Sequence, residues 1–303
     1  MDHIERHLAE PLRLEDLARV ACFSPYHFHR LFSALTGESL YRFILRLRLE
    51  RAANHLLQNP KDSITTVALD CGFGGSAAFA RAFKAAFGVS ASAFRWGHRK
   101  DRKTNRKGGE DAAVVATHDG PTSERRPTMS PEKTGPENRP IKPAKSTRIE
   151  QAEPMTVAYI RHIGPYAGDS ALFGRLFGRL CQWAGPRGHL GPGARLMSVY
   201  HDNPEITPED RLRTSVCVVV PPGTRGEGDV GVMEIAGGAY AVASFELDPS
   251  EYGAAWNWLM GEWLPSSGYQ PDDRPCFESY LNDPNTHPQK LHQVEIWEPV
   301  QPL

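Results

Sequence analysis

Two small constellations in this 303-residue chain hold side chains able to do chemistry. In the first, Ser24-Pro25 opens a helix-compatible stretch with Tyr26, His29 and Arg30 on one face. An arginine so placed can grip guanine O6 and N7 with both ends of its guanidinium, and His and Tyr can bond bases or phosphates. In the second, Cys276-Phe277-Glu278-Ser279-Tyr280 alternates like a strand, so Glu278 shares a face with Cys276 and Tyr280. A carboxylate among apolar and aromatic side chains is costly to desolvate unless something positive arrives. Aromatic faces add cation–π attraction of roughly 0.5–2 kcal/mol per contact. That chemistry suits a hydrophobic cation.

The first constellation sits in a duplicated unit. The segments 14–43 and 64–94 match at Ala18/Ala68 and Phe23/Phe73, fifty apart, then at Phe28/Phe79, Arg30/Arg81, Phe32/Phe83 and Gly37/Gly88, fifty-one apart. Such repetition marks a repeated supersecondary unit, and each copy reads as helix, tight turn, helix. In the first copy Phe28, Leu31, Phe32 and Leu35 form the expected buried face, with Tyr26, His29, Arg30 and Ser33 opposite. In the second, Phe79, Phe83 and Phe87 are the buried stripe, and Ser76, Ala77, Arg81 and Lys84 face outward. A long helix over 40–57 joins the copies. Its Arg42, Arg46, Arg48 and Arg51 are candidate phosphate contacts.

The second constellation sits in another repeat, with an offset of eighty. Tyr200, Pro204 and Pro208 match Tyr280, Pro284 and Pro288, and Trp183 matches Trp263. Each half reads as β-α-β-β: strands at 155–164, 195–201 and 212–220 with a helix at 169–184, then strands at 239–247, 276–282 and 292–298 with a helix at 249–264. A further strand is expected at 230–235. Two such halves fit an α+β domain with an antiparallel sheet and helices on one face. The offset makes Ser198 the counterpart of Glu278. If a pseudo-twofold axis joins the halves, Glu278, Tyr280, Ser198 and Tyr200 border one groove.

Between the repeats, residues 98–148 are rich in Pro, Ser, Thr and charge and poor in apolar side chains, which predicts a flexible linker. The expected fold is therefore multidomain. It has an all-α domain at 1–97 with two helix-turn-helix motifs, a linker at 98–148, and an α+β domain at 149–303. The net charge of −1 hides a polarity. Residues 1–107 carry 18 basic and 10 acidic side chains, whereas 151–303 carry 10 and 19. A basic helical end suits nucleic acid, and an acidic α+β end suits cationic ligands. No apolar stretch approaches a membrane span, and MDHIERHLAE lacks the apolar core of a secretory signal. Five scattered cysteines without a C-x-x-C argue against a disulfide framework or zinc ribbon, so a reducing cytoplasm is expected, with no metal or cofactor.

Residues 1–96 resemble the AraC/XylS-type DNA-binding domain, through SPYHFHRLF (24–32), LRLERAANHLL (47–57) and ALDCGFGGSAAFARAFKAAFGVSASAFR (68–95). The resemblance implies that Tyr26, His29 and Arg30 read bases in the first motif, and Ser76, Ala77 and Arg81 in the second. Lys84 and Arg46 would add phosphate contacts. Gly74, Gly75 and Ala77 stand where that family has polar residues, so the second motif is expected to grip backbone more than bases. Residues 150–298 resemble a GyrI-like effector-binding domain, through RHIGPYA (161–167), YHDNPEITP (200–208), WLPSSGY (263–269) and PCFESYLNDP (275–284). That implies Glu278 as the pocket carboxylate, with walls drawn from Tyr166, Tyr200, Tyr240, Trp256, Trp263, Tyr269 and Tyr280. Together the two resemblances imply a transcription regulator that binds double-stranded DNA and senses a small lipophilic cation. RNA polymerase and a second copy of the chain are candidate partners. The alternatives are a hydrolase of cyclopropane-bearing toxins, with Glu278 as general acid or base, and a protein-binding module.

Overall fold

The computed structural model describes residues 1–59, 61–104 and 140–303. Among the described residues, seven helices form the N-terminal part: α1 Asp2–Arg6, α2 Leu14–Val20, α3 Pro25–Thr36, α4 Leu40–Gln58, α5 Ile64–Asp70, α6 Ser76–Phe87 and α7 Ala91–Thr104. Local chemistry sets their ends. Ser24 caps α3 by accepting from His27 N, with Pro25 in the first turn, and Gly37 closes it in the left-handed conformation at φ 71°. Ser39 caps α4 from Arg42 N in the same way.

The two helix pairs, α2–α3 and α5–α6, each build a core against α4. Phe43, Ile44 and Leu47 join Leu17 and Phe32 in the first. Leu49, Ala52, Ala53 and Leu56 join Phe79 and Phe83 in the second. The turns differ at one equivalent place. Gly72 has φ 79°, and a Cβ there would stand 2.7 Å from Leu8 O, so glycine is required. Cys22 adopts φ 58° at the matching position, a strained conformation for a side-chain-bearing residue.

One expectation fails in α3. Leu31 and Leu35 are 42% and 70% exposed, so the buried stripe is narrower than the spacing suggests. Phe32 reaches α4 at Phe43, with ring centroids 5.1 Å apart. The two leucines lie off that seam.

The C-terminal part is a nine-stranded antiparallel sheet with two helices. Its elements are β1 Ser146–Ala152, β2 Met155–Ile163, α8 Ser170–Ala184, β3 Leu196–Tyr200, β4 Arg213–Val219, β5 Gly231–Ile235, β6 Gly238–Leu247, α9 Tyr252–Trp258, β7 Tyr269–Pro271, β8 Cys276–Tyr280 and β9 His292–Pro302. The order β1-β6-β9-β8-β3-β4-β2-β5 is symmetric about the β8/β3 pair, with β7 added beside β9. Ser198 lies directly opposite Glu278 there, flanked by Leu196 opposite Tyr280 and Tyr200 opposite Cys276. The pseudo-twofold axis expected from the eighty-residue offset therefore passes through the Ser198/Glu278 pair.

Both helices cover one sheet face. α8 packs Leu172, Leu176 and Leu180 on Ile160, Val216 and Val218. α9 packs Ala255 on Phe245, Val294 and Ile296. The opposite face carries Met197, Val199, Tyr240, Phe277 and Trp297.

The domain edges differ from the expected ones. α7 runs on to Thr104 and β1 begins at Ser146, both within 98–148. β1 pairs with β6, which makes it an edge strand that alternation over 146–152 did not announce. Residues 105–139, most of the expected linker, lie outside the described residues. Among the described residues no helix is long and apolar enough to cross a membrane.

Candidate functional site: an aromatic cavity and a helix-turn-helix face

Strand alternation and the β3/β8 register bring Glu278, Ser198, Tyr200 and Tyr280 onto the helix-covered face. Glu278 is 3% exposed. Its Oε1 accepts from Trp256 Nε1 at 2.8 Å, and its Oε2 lies 2.9 Å from Tyr280 OH. Tyr280 OH is also 2.9 Å from Ser198 Oγ. The phenol has one proton to give, so an ionised Glu278 takes it and Ser198 donates in turn to Tyr280. The Tyr200 hydroxyl stands beside Glu278. Burial raises the Glu278 pKa, and the bonds from Trp256 and Tyr280, with the nearby Tyr200 hydroxyl, pull it back part of the way. Desolvation, with Glu278 close by, holds the Tyr200 and Tyr280 phenols well above their ordinary values, so both stay protonated donors.

Aromatic rings surround this carboxylate. Tyr200 stands perpendicular to Trp256 at 6.0 Å and leans on Tyr166 at 5.4 Å, and Phe177 of α8 meets Tyr280 edge-on at 5.7 Å. Among the described residues no Lys, Arg or His forms an ion pair with Glu278. The cavity extends from here between α8 and α9 into the cleft between the two domains, where Glu50, Arg51 and Asn54 of α4 line it. At about 3250 Å³ it exceeds what one small ligand fills, so the aromatic end is the ligand-sized part.

Two expected wall residues lie elsewhere. Tyr240 belongs to the opposite face, packed between Phe277 and Trp297 at 5.5 and 5.8 Å, with its hydroxyl donating to Ala236 O. The alternation of β6 turns Ala241 and Ala243 toward the helices instead. Trp263 packs with Leu264 and Tyr269 at the edge of the core and does not line the cavity. Trp256 and Trp263 are seven apart and would share an α-helical face. A π-helical turn at Leu259–Trp263 breaks that phase. Trp256 is the tryptophan that meets the carboxylate.

On the DNA-binding side, Tyr26, His29, Arg30, Ser76, Arg81 and Lys84 are all exposed. Arg30 Nη1 donates to Tyr26 OH at 3.3 Å, and its guanidinium lies 5.7 Å from the Tyr26 ring, which orients the pair on the outer face of α3. Arg46 is a correction. Its guanidinium is held by Glu38 at 2.7 Å and Glu50 at 3.1 Å, with the side chain 17% exposed. Glu38 also holds Arg211 of the C-terminal domain at 2.7 Å. Arg46 therefore faces the other domain. Arg48 and Arg51 are likewise engaged, with Leu8 O and Glu10 O and with Asp273.

The sequence reading missed a buried charge cluster where the domains meet. Glu5 of α1 takes Arg213 Nη1 at 2.5 Å and Arg161 Nη1 at 3.3 Å, and Asp202 takes Arg213 Nη2 at 2.5 Å. Asp2 accepts from Tyr159 OH at 2.7 Å. Burial opposes ionisation of Glu5, but Arg213 and Arg161 outweigh it and hold its pKa low. The His201 side chain is 3% exposed, and its burial, with the charges of Arg161 and Arg213, holds it well below its usual pKa and neutral. Asn203 Nδ2 donates to Asn54 Oδ1 at 2.8 Å, and Ile206 enters the core built on Phe79 and Phe83. The side-chain bonds of Asp2, Glu5 and Asn54 across the domains join residues 149 to 208 apart in the chain, and no local pattern announces them.

A duplicated helix-turn-helix unit and a cavity-bearing α+β domain define a DNA-binding regulator with a small-molecule site. Residues 145–301 match the GyrI-like small molecule binding domain, and residues 17–96 match a helix-turn-helix domain. The chain belongs to the GyrI-like family and carries an AraC-type DNA-binding domain ahead of that module. It is 35% identical over 158 residues to DNA gyrase inhibitor 2 of Dickeya dadantii, covering 51% of this chain and 95% of that one. It is 33% identical to the DNA gyrase inhibitor of Escherichia coli K12, covering 51% and 96%. Among solved structures it is similar to the EcmrR C-terminal domain, with TM-score 0.41, 19% identity, and 52% and 98% of the two chains covered. It is also similar to the DNA-binding domain of AdpA in complex with a target DNA, with TM-score 0.32, 31% identity, and 33% and 89% covered.

Proposed function

We propose that this cytoplasmic regulator senses a lipophilic cation at Glu278 and passes occupancy to its DNA-binding domain by direct contact. The observation that carries the reading is a buried carboxylate caged by Tyr200, Trp256 and Tyr280, whose partners are neutral donors. A cation arriving there replaces lost hydration with an ion pair and ring contacts.

The coupling route is short. Tyr200 touches Glu278, and the next three residues, His201, Asp202 and Asn203, reach Glu5, Arg213 and Asn54. A ligand that moves the Tyr200 ring moves the end of β3, where α1 and α4 dock. For transcription to respond, the ligand must bind two arrangements of these contacts unequally. RNA polymerase and a second copy of the chain are the candidate partners for reading out that change.

Tetraphenylphosphonium titration, followed by tryptophan quenching, tests the ligand reading. The expected result is saturable binding that weakens at least ten-fold in Glu278→Gln. Equal affinity in the two proteins would overturn it.

A further inference from the structure

Besides Glu278, and Glu50 at the domain cleft, the cavity holds another buried acid. Glu298 of β9 is 5% exposed and lines the same cavity as Glu278. Glu278 pairs with Ile296, and Glu298 stands two residues further along, so both acids occupy the helix-covered face on neighbouring strands. Ala241, opposite Glu298 on β6, is too small to cover it.

Partners distinguish Glu298 from the acids at the domain contact. Glu5, Asp202 and Glu50 each hold an arginine. Glu298 has the Cys276 thiol beside it and, among the described residues, no ion pair. Arg274 is near, but its guanidinium is taken by Asp272, Gly237 O and Ala239 O. Glu298 is thus a nine-tenths-buried carboxylate that faces a cavity with no cation of its own.

We propose that Glu298 is a second cation subsite, and that the cavity takes a dication with positive centres roughly 7–8 Å apart, the diagonal spacing across neighbouring strands. This rests on reading Glu278 as the first cation site. Cys276 and Ile296 stand at the other two corners of that diagonal, so no charged side chain separates the two acids on this face. Burial and the neighbouring Asp272 push the Glu298 carboxyl up to about 8, the behaviour of an acid whose compensating charge has yet to arrive. A monocation leaves one of the two acids unmatched, whereas a dication satisfies both.

The test compares pentane-1,5-bis(trimethylammonium) with pentyltrimethylammonium on the full chain by calorimetry. Wild type should bind the dication at least ten-fold tighter. Glu298→Gln should erase that advantage while holding the monocation within two-fold, and Glu278→Gln should weaken both. Binding of the monocation with no dication advantage in wild type overturns this inference and leaves the Glu278 reading standing. Failure of both probes on wild type overturns both. A melting profile checks that Glu298→Gln folds, and the wild-type ratio stands without it.

Discussion

The two halves of the α+β domain share a frame and divide the chemistry. His201 N donates to Arg213 O at 3.2 Å in the first half, and Leu281 N to Gln293 O at 2.8 Å in the second. Arg213 N donates to Asp202 Oδ2 at 2.7 Å, and Gln293 N to Asn282 Oδ1 at 2.8 Å. These bonds repeat at the eighty-residue offset, yet the side chains do not. The first half carries His201, Ile206 and Arg213, which meet the DNA-binding domain, and Asp202, which holds Arg213. The second carries Leu281, Asn282, Thr286 and Gln293 at those positions, with Leu281 56% exposed. Conversely, the cavity acids Glu278 and Glu298 belong to the second half, where the first has Ser198 and Val218. The first half supplies most of the docking side chains, joined by Asp273 of the second on Arg51, while the second supplies the cavity acids, with Tyr200 reaching across toward Glu278.

The largest effect should separate the halves outright. Arg213→Ala leaves Glu5 and Asp202 buried without their shared cation and should cost about 3–5 kcal/mol in urea unfolding. Gln293→Ala should stay within about 0.5 kcal/mol. Equal costs would break the division of roles.

A pH effect should follow the second half. The native Glu298 pKa, about 8, exceeds the ordinary 4.5, so the folded chain keeps this proton to higher pH than the unfolded chain. Its contribution is therefore complete below about pH 4.5 and is lost as pH rises through 8. Glu298→Gln should flatten that decline by about 3–4 kcal/mol between pH 5 and 8. An unchanged profile would mean that Glu298 is compensated already.

The smallest effects sharpen the docking side. Arg30→Ala should weaken operator binding by about 1–3 kcal/mol if Arg30 reads a base. Arg46→Ala should leave the slope of log K against log[salt] unchanged, because Arg46 is occupied by Glu38 and Glu50. A slope reduced by about 1 would return Arg46 to the phosphate backbone.

Repeats carried most of the architecture in the sequence. The fifty- and eighty-residue offsets expose both duplications, and the second one places Ser198 against Glu278 before any coordinates. Strand period then assigns Tyr280 and Tyr200 to the cavity face. Applied to β6 it would have excluded Tyr240, since Ala241, Ala243 and Phe245 are the residues that meet the helices. Glu298 left the same kind of trace, an acid at the position that continues Val294 and Ile296. Trp263 was not legible because a π turn has no clear sequence signature and changes the phase of everything after it. The domain contact was not legible either. Arg46 looks like any basic residue on a long helix until Glu38, Glu50 and Arg211 are assembled around it.

The Ser198/Glu278 pair has one more consequence. It sits on the pseudo-twofold axis, where each residue faces its own counterpart. In a symmetric pair of identical subunits that place must hold the same side chain twice. Two serines would offer no charge, and two glutamates opposed across adjacent strands would repel and share a proton. Joining the halves in one polypeptide lifts the constraint. A single negative charge can then stand on an axis of symmetry, with a hydroxyl across from it to hold its tyrosine in place.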